Sequence, residues 1–126
     1  MFKLIAVMLG GALGAATRYW VGAQSVRLVD SDFPWGTLLV NLVGAFLLGG
    51  LFVSAEKNLL HTNLQSFLMT GFMGALTTFS TFTLENLILH ESGKTSIAIA
   101  YLLISIILGL LAVFAGATLA RSVLSS

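Results

Sequence analysis

The chain has 126 residues, 57% of them hydrophobic and only 9% charged, against about a quarter charged in an ordinary soluble domain. A net charge of +1 with no basic stripe excludes nucleic acid as a partner, and the absence of cysteine excludes disulfides, zinc–thiolate sites and thiol catalysis. So few charges cannot clothe a water-facing surface, and lipid is the expected solvent for a single membrane domain spanning 1–126.

Charges divide the chain into four apolar stretches, approximately 2–26, 35–55, 66–89 and 95–120. Each supplies the roughly 20 apolar residues that a helix needs to cross the hydrocarbon. Continuous apolar runs exclude a membrane barrel, whose strands would alternate. An all-α protein with four transmembrane helices follows. The first stretch, Lys3 and the run after it, also has the outline of a signal peptide, with Ala15 and Ala16 as small residues near a cleavage site. It continues past Arg18 through Tyr19, Trp20 and Val21, and three further apolar stretches follow, so it reads as a true first helix. Arg18 either snorkels to the interface or meets a partner or a wet vestibule.

The second stretch carries no charge between Asp32 and Glu56. Asn41 lies at its middle, with Thr37 four residues earlier on the same face. Its amide is either interhelical glue or a donor to a passing anion. The third stretch is the most unusual. After Gly71 and Gly74 come five hydroxyl residues within seven positions: Thr77, Thr78, Ser80, Thr81 and Thr83. Hydroxyls bend helices by bonding the preceding turn, and glycine tolerates unwinding. Two readings fit. One is a packing seam with every hydroxyl bonded backward. The other is a broken helix whose freed carbonyls, such as those of Gly74 and Thr77, suit a hard cation. Phe79 and Phe82 share a face at three-residue spacing. Ordinary packing explains such a pair, and so would the attraction of an anion to the positive ring edges. Glu85 follows one turn later, lining the same path or marking the helix end. In the fourth stretch Tyr101 and Ser105 are spaced one turn apart, Tyr101 near the interface and Ser105 deeper.

Orientation signals nearly cancel. With four spans, Lys3, Lys57 and Arg121 fall on one side, Arg27 and Lys94 on the other, and the embedded Arg18 lies nearer the second group. The positive-inside rule then gives almost no bias. Near balance permits insertion in both orientations, and two oppositely inserted copies would close around a two-fold axis in the membrane plane. A weak bias overruled by a folding partner is the other reading.

Taken together, the stretches Gly10-Gly-Ala-Leu-Gly14-Ala-Ala-Thr-Arg18-Tyr, Gly36-Thr-Leu-Leu-Val-Asn41-Leu-Val-Gly44 and Gly71-Phe-Met-Gly74-Ala-Leu-Thr-Thr-Phe79-Ser-Thr-Phe82 resemble the Fluc or CrcB family of fluoride channels. The third is the specific one; the small-xxx-small elements are not. The resemblance implies an antiparallel, dual-topology homodimer in a bacterial inner membrane, with two pores exporting fluoride passively. It implies a structural sodium ion at the dimer centre, held by the main-chain oxygens of Gly74 and Thr77. It places Asn41, Phe79 and Phe82 in the fluoride pore, with Ser80 and Thr81 as a polar track, less firmly Glu85, and Tyr101 and Ser105 from the fourth helix.

Two other classes compete. A small proton-coupled multidrug transporter would have this size and charge balance, but it wants a carboxylate deep in a span, and the first helix has none. A non-transporting assembly subunit would use the same polar residues as glue and pass no ions. An enzyme is not expected: no embedded His, Cys or carboxylate pair offers acid–base or nucleophilic chemistry, and His61 and His90 fall in loops.

Overall fold

The computed structural model describes residues 1–125; Ser126 of the expected 1–126 domain lies outside them. The regular structure of the described residues is all helical, with helices long and apolar enough for four membrane spans. Helix α1 runs Phe2–Leu28 and α2 runs Trp35–Glu56. Helix α3 has three consecutive segments, Thr62–Gln65, Ser66–Met73 and Gly74–Leu76, the middle one wound in wide i→i+5 turns. Helix α4 is Phe79–Glu91 and α5 is Thr95–Leu124.

The helices overrun the apolar stretches by a few residues at several ends. Helical bonding continues past the hydrocarbon edge because water can solvate Arg27, Glu56, Glu91 and Arg121, and it ends where the backbone is forced to turn. Asn58 takes φ 57° and Gly93 φ 77°, left-handed conformations that close helix C-termini. At Gly93 the turn is sealed by Gly93 N–H to His90 O (3.0 Å) and Lys94 N–H to Leu89 O (2.8 Å). Pro34 opens α2, where its missing N–H costs nothing.

Loop charges collect at two ends. Lys94 pairs with Asp32 at one end. At the other, Arg121 lies 3.6 Å from Glu56, and the Lys57 ammonium donates to the Leu124 carbonyl at 2.6 Å. Between them the outer surface is apolar; Leu110 and Phe114 on α5 are 57% and 68% exposed. Such a girdle belongs in lipid.

Two close helix pairs build the body, α1 with the wide part of α3 and α2 with α5. Both rest on glycine, as expected where apolar solvent removes the hydrophobic drive and backbones must approach directly. A Cβ on Gly49 would strike the Val113 carbonyl, and one on Gly116 the Phe46 carbonyl. Two small cores lie between the pairs. Tyr101, Leu38, Phe82 and Leu89 form one beside α4, and Val40, Met73 and Leu76 form the other beside the end of α3.

Candidate anion path and cation site

Helical geometry stops at Leu76 and resumes at Phe79. Thr77 (φ −79°, ψ 154°) and Thr78 (φ −151°, ψ 124°) are extended. Asn41 of α2 grips this segment at both polar ends: its Oδ1 accepts from Thr78 N–H at 2.7 Å and its Nδ2 donates to Thr78 O at 3.1 Å. Three residues on, Gly44 leaves a notch for the Thr77 methyl. Thr78 then caps α4. Its hydroxyl accepts from Thr81 N–H (3.2 Å) and donates to the Thr81 hydroxyl (3.1 Å).

These bonds have a consequence for two carbonyls. In an unbroken helix Thr78 N–H would serve Gly74 O and Thr81 N–H would serve Thr77 O. Asn41 takes the first donor and the Thr78 hydroxyl takes the second. Gly74 O and Thr77 O therefore lose their helical partners, as the end of a helix does.

The five hydroxyls divide between the two readings offered by the sequence. Thr77 and Thr83 bond backward, to Met73 O (2.8 Å) and Ser80 O (2.9 Å). Thr78, Ser80 and Thr81 instead link laterally, with Ser80 Oγ 3.4 Å from Thr78 Oγ1. The segment is not a uniform backward-bonded seam.

Two hollows flank the start of α4. The first, of about 470 Å³, brings together Asn41, Gly74, Thr77, Thr78, Phe79, Phe82 and Ser105. The two rings lie 5.9 Å apart, tilted by 50°. They share a face but differ in setting: Phe79 is 76% exposed, whereas Phe82 is 6% exposed and packs edge-to-face with Tyr101 at 5.0 Å. Ser105 Oγ is buried and has no hydrogen-bond partner. A hydroxyl left unsatisfied in an apolar wall costs stability unless something visits it. No Lys or Arg lines this hollow.

The second hollow, of about 500 Å³, holds Arg18, Thr37, Thr78, Thr81 and Glu85. Thr78 lines both. Glu85 is tied at each oxygen, accepting from Thr37 Oγ1 at 2.7 Å and from the Tyr101 hydroxyl at 2.8 Å. Tyr101 is wholly buried, so the fourth-helix tyrosine reaches this hollow through Glu85 and does not face the first one. Arg18 shares the hollow with Glu85 but forms no ion pair with it, and its Nε is buried without a partner.

The structure thus gathers Asn41, Phe79, Phe82, Ser105, Gly74 and Thr77 on one side of α4 and Arg18, Thr81 and Glu85 on the other. Ser80 lies between, exposed on the first turn. Sequence reasoning missed the pivotal place of Thr78 and the Thr37–Glu85–Tyr101 bonding. A Thr immediately ahead of the run that starts at Phe79 is a fair cap signal for the former. Nothing in the sequence links Glu85 to residues 48 positions before it and 16 after.

A family model described as "CrcB-like protein, Camphor Resistance (CrcB)" matches residues 5–117. Among curated proteins, the "Fluoride-specific ion channel FluC" of Hahella chejuensis is 50% identical over 122 residues, covering 96% of each chain. The protein of that name from Agrobacterium fabrum is 43% identical over 124 residues, 97% of this chain and 98% of its own. The one from Salinibacter ruber is 44% identical over 117 residues, 93% and 88%. These relatives bear the name of a channel, not of an enzyme.

Proposed function

This chain belongs to the CrcB-like family, and from that premise we propose that it is a fluoride channel of the bacterial inner membrane, letting the anion leave passively. The observation that carries this reading is the first hollow. It combines an amide, an unpartnered hydroxyl and two tilted phenyl rings, and no Lys or Arg lines it. Fluoride holds its water tightly, so a pore must offer close donors in its place. A fixed cation there would bind too firmly for release, since conduction needs weak successive sites. Asn41 still has one N–H free after its bonds to Thr78. Together with Ser105, Ser80 and the ring edges of Phe79 and Phe82, it forms the track the anion follows. Neither the multidrug transporter nor the assembly subunit is favoured by the relatives' names.

The active form in this reading is an antiparallel homodimer with two pores. Near balance of Lys and Arg supports dual insertion. The large exposure of Phe79, a ring with no role in lipid if it serves an anion, supports a second copy covering it. A sodium ion at the dimer centre would be held by Gly74 O and Thr77 O. The donor set fits: both carbonyls have lost their helical partners, and neutral oxygens are the ligands a hard monovalent cation takes. Such an ion would supply positive potential beside the path without being a mobile side chain.

Liposomes loaded with potassium fluoride and containing only this protein provide the test. With valinomycin added to carry the balancing charge, fluoride should leave rapidly while chloride does not. A correctly assembled protein that releases no fluoride overturns the reading. A single cysteine at Ser125, probed from outside sealed cells, should label in about half the molecules. Uniform labelling or uniform protection removes the antiparallel dimer.

A further inference from the structure

The wide turns of α3 have a partner in α1, and the two helices mesh with unequal spacing. A Cβ on Gly10 would strike the Phe67 carbonyl oxygen, and one on Gly14 the Phe72 carbonyl oxygen. In return, a Cβ on Gly71 would come within 2.7 Å of Val7 O and 3.0 Å of Gly11 N. Gly10 and Gly14 are four apart on a regular helix, so they share a face. Phe67 and Phe72 are five apart. On an α-helix residues five apart point about 140° away from each other and could not both meet α1. Only a turn that takes in one more residue places both carbonyls on one side. The wide segment is that turn: Gly74 N–H still reaches back five residues to Met69 O. The other tight pair needs no such device. On α2 and α5, Phe46 and Gly49 meet Gly116 and Val113, three apart on both helices, and both are ordinary α-helices.

Wide turns are uncommon and usually serve a purpose at functional sites. Here the wide segment ends immediately before Gly74, and each residue gained or lost rotates the downstream backbone by about 100°. We propose that Gly10 and Gly14 are positioning residues that impose the wide register on 66–73, and that this register sets the rotational phase in which the Gly74 and Thr77 carbonyls emerge. The inference rests on the reading of those carbonyls as the sodium ligands. Without the glycine contacts the segment relaxes toward i→i+4 bonding and Gly74 O turns away from its station.

The measurement is the sodium concentration giving half of the thermal stabilisation of the purified protein, with N-methylglucamine as the replacement cation. A ligand that binds only the folded form stabilises it by mass action, so weaker carbonyl presentation moves that concentration upward. Gly10→Ala and Gly14→Ala should raise it about tenfold or more. Gly11→Ala, whose Cβ would meet only Gly71 O at 3.9 Å, should leave it unchanged. Gly49→Ala should lower the melting temperature without moving the sodium requirement, which separates positioning from mere packing. A folded Gly14→Ala with an unaltered requirement, or a Gly49→Ala that shifts it equally, overturns the proposal. Should the alanine variants fail to fold, single-residue deletions decide. Deletion of Thr70 makes the meshing four against four and should be tolerated. Deletion of Ala12 makes it three against five and should not. Equal tolerance, or equal loss, overturns the proposal. A wild-type protein indifferent to sodium removes the cation reading instead, and the deletion pair, scored by melting temperature, still judges the register.

Discussion

The two hollows on either side of α4 solve opposite electrostatic problems. The first holds no charge and leaves donors unused: Ser105 Oγ has no partner, and one Asn41 N–H is spare. The second holds both an arginine and a carboxylate, yet they do not pair. Glu85 instead commits its oxygens to two hydroxyls. Charge buried in lipid is tolerated when each group is fully hydrogen-bonded or reaches water, and the second hollow meets that condition for Glu85. The first has unused capacity on neutral donors, Ser105 Oγ among them, whereas the unpartnered donor in the second is Nε of the charged Arg18. In the proposed channel, ionisable side chains would mark the approach and neutral donors the place where an anion is held lightly.

Thr78 joins the two regions, so the most damaging change is at its partner. Asn41→Leu strips both the N–H and the C=O of Thr78 of their bonds at membrane depth. Each stranded backbone group costs about 1–3 kcal/mol, so a loss of roughly 2–6 kcal/mol is expected in a reversible unfolding assay, together with loss of fluoride flux. Asn41→Asp keeps the acceptor for Thr78 N–H and should recover part of the stability but little of the flux, because a fixed negative charge repels the anion.

The rings separate path from packing. Phe79→Ile removes an exposed ring and should leave the stability of the isolated subunit nearly unchanged. Phe82→Ile disturbs the edge-to-face contact with Tyr101 and should cost about 0.5–1.5 kcal/mol. Both should cut flux per correctly folded protein by tenfold or more if ring edges face fluoride, an effect of about 1.4 kcal/mol in the barrier. Full flux from both would leave the rings as packing alone.

On the charged side, Tyr101→Phe deletes one of the two hydroxyls on Glu85 and should cost about 1.5–3 kcal/mol, the value of a hydrogen bond to a charged group. Thr37→Val should cost a similar amount. A double-mutant cycle should find the two effects coupled, since both act through one carboxylate. Additive effects would mean that Glu85 is held chiefly by something else. The smallest effect is expected at the rim. Lys94→Met breaks an exposed pair with Asp32 and should change stability by under about 1 kcal/mol.

Much of this molecule was legible from composition and order alone. Four spans follow from apolar runs long enough to cross a bilayer. The hydroxyl cluster after Gly71 and Gly74 drew attention to the neighbourhood in which Thr77 and Thr78 are extended, because polar residues in lipid require a reason. The division of labour within that neighbourhood was not legible. Asn41 and Thr78 stand 37 residues apart, and their two hydrogen bonds depend on where α2 crosses the start of α4. The exposure of Phe79 and the burial of Phe82 depend on which side of α4 meets α5, and a three-residue spacing is silent on that.

Local chemistry along the chain was enough to fix the solvent, the number of crossings and the polar residues that must find partners. The identity of those partners came only with the packed helices. Glu85 rests on Thr37 and Tyr101 and not on Arg18, Asn41 seizes the backbone of Thr78, and α3 widens its turns to meet two glycines of α1. Each of these outcomes is a matching of two helices in register and rotation. That matching depends on angles and spacings across a gap, which no pattern within a single helix encodes.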